Sequence, residues 1–100
     1  MDEILKQYQL LSCAPEIKAF IRKRKQLWAV LQNAYPHLIR SYGSRPIHLR
    51  IDWEQSQIHI LVSVAYPPQQ MGTCFDAFEK AYYYSVPKRI KKYFVIDKLC

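Results

Sequence analysis

Apolar residues in the first third of the chain recur at steps of three and four. Ile4, Leu5, Tyr8 and Leu11 form a short stripe, and Asp2 and Glu3 suit the positive end of a first helical turn. Ser12 followed by Pro15 and Glu16 reads as a restart, with a cap residue, a Pro in the first turn and an acid beside it. A second stripe then runs through Ile17, Phe20, Ile21, Leu27, Trp28, Leu31 and Tyr35. Arg24 alone falls inside that stripe, with a stem long enough to carry its charge past Trp28 to water. Tyr35-Pro36 is expected to end the helix, because the residue before a Pro is pushed out of the α region. Residues 1–36 therefore read as a helical N-terminal part.

Beyond Gly43 the period changes to two. Ile47, Leu49, Ile51 and Trp53 alternate with His48, Arg50 and Asp52, and Ile58, Ile60, Val62 and Val64 alternate with His59, Leu61, Ser63 and Ala65. The spacing predicts a β-hairpin over 45–66. A turn at Gln55-Ser56 sets Trp53 opposite Ile58, Ile51 opposite Ile60, Leu49 opposite Val62 and Ile47 opposite Val64, all on one apolar face. Tyr66-Pro67-Pro68 stops the second strand. Thr73 with Asp76 resembles a capping box, and Phe75, Phe78, Ala81 and Tyr82 step along a helix over 73–86, closed by Pro87. Residues 91–98 are aromatic and β-branched, which favours a last strand over a helix pairing Ile90 with Phe94. The expected order is α-α-β-β-α-β. It describes one α+β domain over 1–100, with helices on one face of a small, mostly antiparallel sheet around a central hairpin.

Composition removes several classes. Half of the 100 residues are apolar and only two are Gly, which excludes disorder, and no apolar run is long enough to span a bilayer. Three widely spaced cysteines without a C-x-x-C read as reduced thiols, and the acidic start Met1-Asp2-Glu3 is unlike a secretory signal. Both point to a cytoplasmic protein. The two glycines fit no phosphate-cradling loop and no nucleophile elbow, and the signatures of KH and RRM modules and of a helix-turn-helix are missing.

Charge adds the main functional signal. Fifteen Lys and Arg against eight Asp and Glu leave a net +7, and nine of the fifteen lie in two clusters. Lys18, Arg22, Lys23, Arg24 and Lys25 form the first, with Lys18, Arg22 and Lys25 on one helix face; Lys88, Arg89, Lys91 and Lys92 form the second. Phosphate binding needs several cations on one face, because each neutralised phosphate releases counterions. The same clusters could serve as solvated faces or dock an acidic protein. In Tyr82-Tyr83-Tyr84, Tyr82 follows Phe78 on the buried stripe, leaving Tyr83 or Tyr84 at least partly exposed beside Lys88 and Arg89. Such a ring can stack a base or anchor a protein contact.

The polar face of the hairpin carries His48, Arg50, Asp52, His59 and Ser63. In the expected register Asp52 faces His59 as a cross-strand polar pair, while His48 sits about 13 Å from Asp52 at the usual strand rise. That distance keeps His48 and His59 from sharing a metal ion, so no metal and no cofactor are expected. The element order with a basic surface is loosely similar to small bacterial regulators and toxin-type ribonucleases, a likeness of order that carries no function.

The expectation is a small, basic, non-enzymatic binding module, regulatory or accessory, meeting nucleic acid or an acidic protein. Lys18, Arg22, Lys23, Lys25, Lys88, Arg89, Lys91 and Lys92 are its cation donors and Tyr83 its aromatic contact; no catalytic residue and no membrane association is assigned. Two alternatives stand beside it. One is a small ribonuclease of the toxin kind using His59, Asp52 or Arg50, and the other is an adaptor that homodimerises through a sheet edge.

Overall fold

A computed structural model describes residues 6–24, 26–43, 45–63 and 69–99, and shows a four-stranded mixed sheet with four helices. The apolar stripe of the N-terminal part is carried by two helices with a break between them. Helix α1, Ala14–Arg22, starts with Pro15 and Glu16 in its first turn and buries Ile17, Phe20 and Ile21. The chain then turns through Gln26, whose φ of 74° is left-handed, and restarts as α2, Leu27–Tyr42. The break resets the helical phase. Leu27, Leu31, Ala34 and Leu38 point inward, and Trp28, expected on the buried stripe, is left 39% exposed.

Helix α2 also runs through Pro36, where the sequence predicted its end. An internal Pro costs a helix about 3 kcal/mol. Continuing past it buries Leu38 and Tyr42, each worth about 1.5–3 kcal/mol, so burial outweighs the lost hydrogen bond. Pro36 itself faces outward. The helix ends at Gly43, at φ 96°, whose N–H donates to the Ile39 carbonyl at 2.8 Å.

Upstream of α1, Lys6 and Gln7 are helical, as the first stripe predicted, but the helix stops before Tyr8 and a two-residue strand, β1, Gln9–Leu10, follows. It is fixed by its partners: Gln9 N–H donates to Ile47 O and Leu11 N–H to Leu49 O, both at 2.8 Å, and the Tyr8 hydroxyl donates to Leu31 O at 2.6 Å. The part of that expectation resting on Ile4 and Leu5 lies outside the described residues.

Strands β2, His48–Asp52, and β3, Gln57–Val62, pair antiparallel; β1 lies parallel to β2, and β4, Phe94–Lys98, parallel to β3. The sheet order is β1-β2-β3-β4. Two of the three pairings are parallel, which corrects the mostly antiparallel expectation. The register of β2 with β3 is corrected as well: Ile51 faces Ile58 and Leu49 faces Ile60, two residues from the expected partners. Residues 53–56 form the whole connection, with Gln55 N–H donating to Asp52 Oδ1 at 3.1 Å and Ser56 at φ 53°. A slip of two keeps the apolar face intact but releases Trp53 from the pairing. The expected Ile47–Val64 pair and the strand stop at 66–68 involve residues outside those described.

The second half crosses back through α3, Gln69–Ala81, a 3-10 turn at Tyr83–Ser85 and a one-turn helix α4, Lys88–Lys91. The expected single helix over 73–86 therefore begins earlier and stops sooner, and Thr73 lies inside α3 rather than capping it. Tyr82, at φ −147°, is non-helical, and the Ser85 hydroxyl donates to its carbonyl at 2.6 Å, an alternative to continued helix. The strand expected over 91–98 is present as β4. One core cluster takes residues from all four helices together with Leu49 and Ile51 of β2, Ile58, Ile60 and Val62 of β3 and Phe94 of β4. Among the described residues no helix is long and apolar enough to cross a membrane.

Candidate nucleic-acid interface

The two basic clusters are far apart in sequence and meet in space. The turn between α1 and α2 supplies Lys23, Arg24 and Gln26, and the α4–β4 junction supplies Arg89, Ile90, Lys92 and Tyr93, around a cleft of about 340 Å³. Four of these side chains are cations, and among the described residues lining the cleft none is acidic. Buried Ile90 anchors α4 in the core and so aims Arg89 and Lys92 at the opening. Arg89 Nη2 donates to Gln26 Oε1 at 3.0 Å, closing the cleft across 63 residues of sequence. Gln26 does this from a left-handed backbone that costs a non-glycine residue about 1–3 kcal/mol, strain of the kind that collects at functional sites.

Arg24 lies along one wall. Its guanidinium carbon sits 3.5 Å over the Phe20 ring and 5.2 Å from the Tyr93 ring, and Nη1 donates to the Phe20 carbonyl at 3.0 Å. Its Nε is buried without a hydrogen-bond partner. Lys92 Nζ stands 5.0 Å from the Tyr93 ring, and its carbonyl accepts from Gln57 Nε2 at 3.3 Å, tying the junction to the start of β3. Beside this wall Trp53, 58% exposed, makes a T-shaped contact with Phe20, centroids 6.0 Å apart and planes at 71°.

Of the residues expected to bind, the structure brings Lys23, Arg89 and Lys92 together, with Arg24 as a fourth. Arg22 on α1 and Lys88 on α4 are exposed but do not line the cleft, and Lys18 is half-buried on α1. Lys91 Nζ lies 4.4 Å over the ring of Tyr83. Lys25 lies outside the described residues. Tyr83 is half-buried, packing on Phe75, Phe78 and Phe94; burial, and then Glu79 nearby, push its hydroxyl above the usual tyrosine range. The exposed ring of the three tyrosines is Tyr84, while Tyr82 stacks on His37 at 5.1 Å.

The solvent face of the sheet gathers Arg50, Asp52 and His59. The register places Arg50, not Asp52, directly opposite His59 and gives Asp52 Gln57 as partner, so the expected Asp52–His59 facing pair is corrected to a diagonal one. His59 Nε2 lies 3.4 Å from Asp52 Oδ2, and Arg50 Nη2 lies 3.2 Å from His59 Nδ1. With Arg50 donating, Nδ1 accepts and Nε2 carries the proton towards Asp52. Both ring nitrogens are thereby engaged with side chains. Among the described residues no three His, Cys, Asp or Glu side chains converge to hold a metal.

Comparison with protein-family models, with curated proteins and with solved structures finds no match for the chain.

Proposed function

We propose that this protein is a non-enzymatic binding module that holds nucleic acid through the cleft between the α1–α2 turn and the α4–β4 junction. The observation that supports it is the convergence of Lys23, Arg24, Arg89 and Lys92 on one concavity with no acid among its described lining residues. Four cations held at a common opening repel one another, and an anion with several charges relieves that repulsion. A phosphodiester chain presents such charges in sequence and releases counterions as each is neutralised. The aromatic backing favours a nucleic acid over an acidic protein: Tyr93 and Phe20 hold the charges on rings, a surface suited to alternating phosphate and base.

Fluorescence anisotropy with a labelled oligonucleotide over a salt series tests this reading. Binding is expected at low salt, with affinity falling linearly on a log–log plot as salt rises. An absence of binding at low salt contradicts it, and capture of an acidic protein with no oligonucleotide affinity assigns the cleft to that partner.

The network of Arg50, His59 and Asp52 supports a cross-strand polar role, worth a few tenths of a kcal/mol to about 1. His59→Ala is expected to leave RNA intact or cleaved to the same extent as the parent protein does. Cleavage by the parent that disappears in His59→Ala would establish the ribonuclease reading instead.

A further inference from the structure

Trp53 is a large apolar side chain whose position folding explains poorly. It sits in the β2–β3 connection, where chain reversal calls for small or polar residues, and it remains 58% exposed. The strand pairing does not use it, since the ladder ends at Asp52 and Gln57. Its ring contact is a T-shaped one with Phe20, and Phe20 is the ring on which the Arg24 guanidinium rests. Gln57, which closes the same connection, is bonded to the Lys92 carbonyl. The connection carrying Trp53 is thus tied to the backbone of Lys92 and to the ring that carries Arg24, two residues that line the basic cleft, and the indole is left exposed.

We propose that Trp53 is a stacking platform and that the cleft takes single-stranded nucleic acid, with phosphates among Lys23, Arg24, Arg89 and Lys92 and a neighbouring base laid on the indole. This rests on the reading of the cleft as a nucleic-acid site and adds the form of nucleic acid to it. The physical reason is access to the base. In a duplex the faces of the bases are covered by stacking, and only their edges are open in the grooves. A single strand offers its π-faces, and stacking on an aromatic side chain is tolerant of sequence because every base has such a face. The indole meets the Phe20 ring at 71° rather than in parallel, so Phe20 does not cover it as a stacked base would. A cleft of about 340 Å³ is on the scale of one small ligand rather than of a duplex.

The chain has two tryptophans, so Trp28→Phe leaves Trp53 as the only indole reporter. In that background an unlabelled single-stranded oligonucleotide is expected to quench the fluorescence, while inorganic polyphosphate, which lacks bases, binds with little quenching. Trp53→Ala is expected to weaken single-strand binding about tenfold without changing the salt slope, and Trp53→Phe to retain most of the affinity. Thermal melting of both variants shows whether the fold is kept, and the Phe variant stands if Ala does not fold. Duplex of the same sequence is expected to bind more weakly. Salt-sensitive binding of strand and duplex alike, with Trp53 unquenched or Trp53→Ala indistinguishable from the parent, overturns this inference and leaves the cleft reading standing. No binding at low salt overturns both.

Discussion

Arg24 shows how a residue that breaks a pattern can carry the most information. In the sequence it interrupts an apolar stripe, and in the fold its guanidinium rests on Phe20 and beside Tyr93. The sequence expected its stem to run past Trp28 to water; beyond the end of α1 it instead rests on Phe20, and the Tyr93 contact joins distant parts of the chain. A lysine keeps the charge but not the planar stack, so Arg24→Lys is expected to weaken oligonucleotide binding severalfold while leaving the salt slope near that of the parent. Titrations at several salt concentrations check this.

Tyr8 carries a second prediction at the same scale. Its buried hydroxyl donates to Leu31 O at 2.6 Å, so Tyr8→Phe removes that bond and is expected to cost about 0.5–1.5 kcal/mol, read as a lower melting temperature. Burial also raises the hydroxyls of Tyr8, Tyr42, Tyr82 and Tyr83 above the ordinary tyrosine value of 10.0. Above that pH the unfolded chain loses these protons and the folded chain keeps them. The unfolded state then binds fewer protons, so stability falls as pH rises past 10. Denaturant midpoints on either side of that pH are expected to show the fall.

At the scale of elements, α2 is held by packing against its own local preferences. Pro36 weakens it from within, and Leu38 and Tyr42 draw it onward into the core. Pro36→Ala is therefore expected to raise stability by about 1–3 kcal/mol, because it restores a donor without removing a buried group. Gly43 acts the other way. Nothing lies within 4 Å of where its Cβ would stand, so Gly43→Ala is expected to cost about 1–3 kcal/mol through the backbone alone, at φ 96°. Equilibrium denaturation of the two variants reads both effects.

The elements also show where a single sequence runs out. The apolar faces of β2 and β3 were legible because parity alone decides them, and both the expected and the observed registers satisfy parity. Turn length decides between those registers, and residues 53–56 contain no Asn-Gly or Asp-Gly to announce it. Strand β1 was missed for a related reason. Two residues carry no period of their own, and β1 exists through the bonds that β2 offers it. The break at Gln26 lacks the glycine that would mark a left-handed turn, so one stripe stood for two helices.

For the whole molecule, the order β1-β2-β3-β4 is what gives the charge its meaning. Each half of the chain runs from strand to helices to parallel strand, and the α1–α2 turn ends up against the α4–β4 junction. The radius of gyration of 12.8 Å matches the roughly 13 Å expected of a packed chain this long, so the two clusters are held together rather than loosely tethered. The sequence identified both clusters; only the fold joins Lys23 to Arg89 and Lys92 and leaves Arg22 and Lys88 outside. On the far side of the sheet Arg50 and His59 stand with Asp52, a mixed and locally satisfied surface.

The central claim is that the cleft, rather than the net charge, binds the strand. The most direct test compares two triple variants of equal charge by oligonucleotide anisotropy over a salt series. One is Lys23→Ala with Arg89→Ala and Lys92→Ala; the other removes Arg40, Lys80 and Lys98, exposed cations that do not line the cleft. The cleft variant is expected to lose most of its affinity and to lower the salt slope by about one for each phosphate contact removed, while the control stays near the parent. Equal losses in the two variants, or a cleft variant that binds like the parent, would contradict the account.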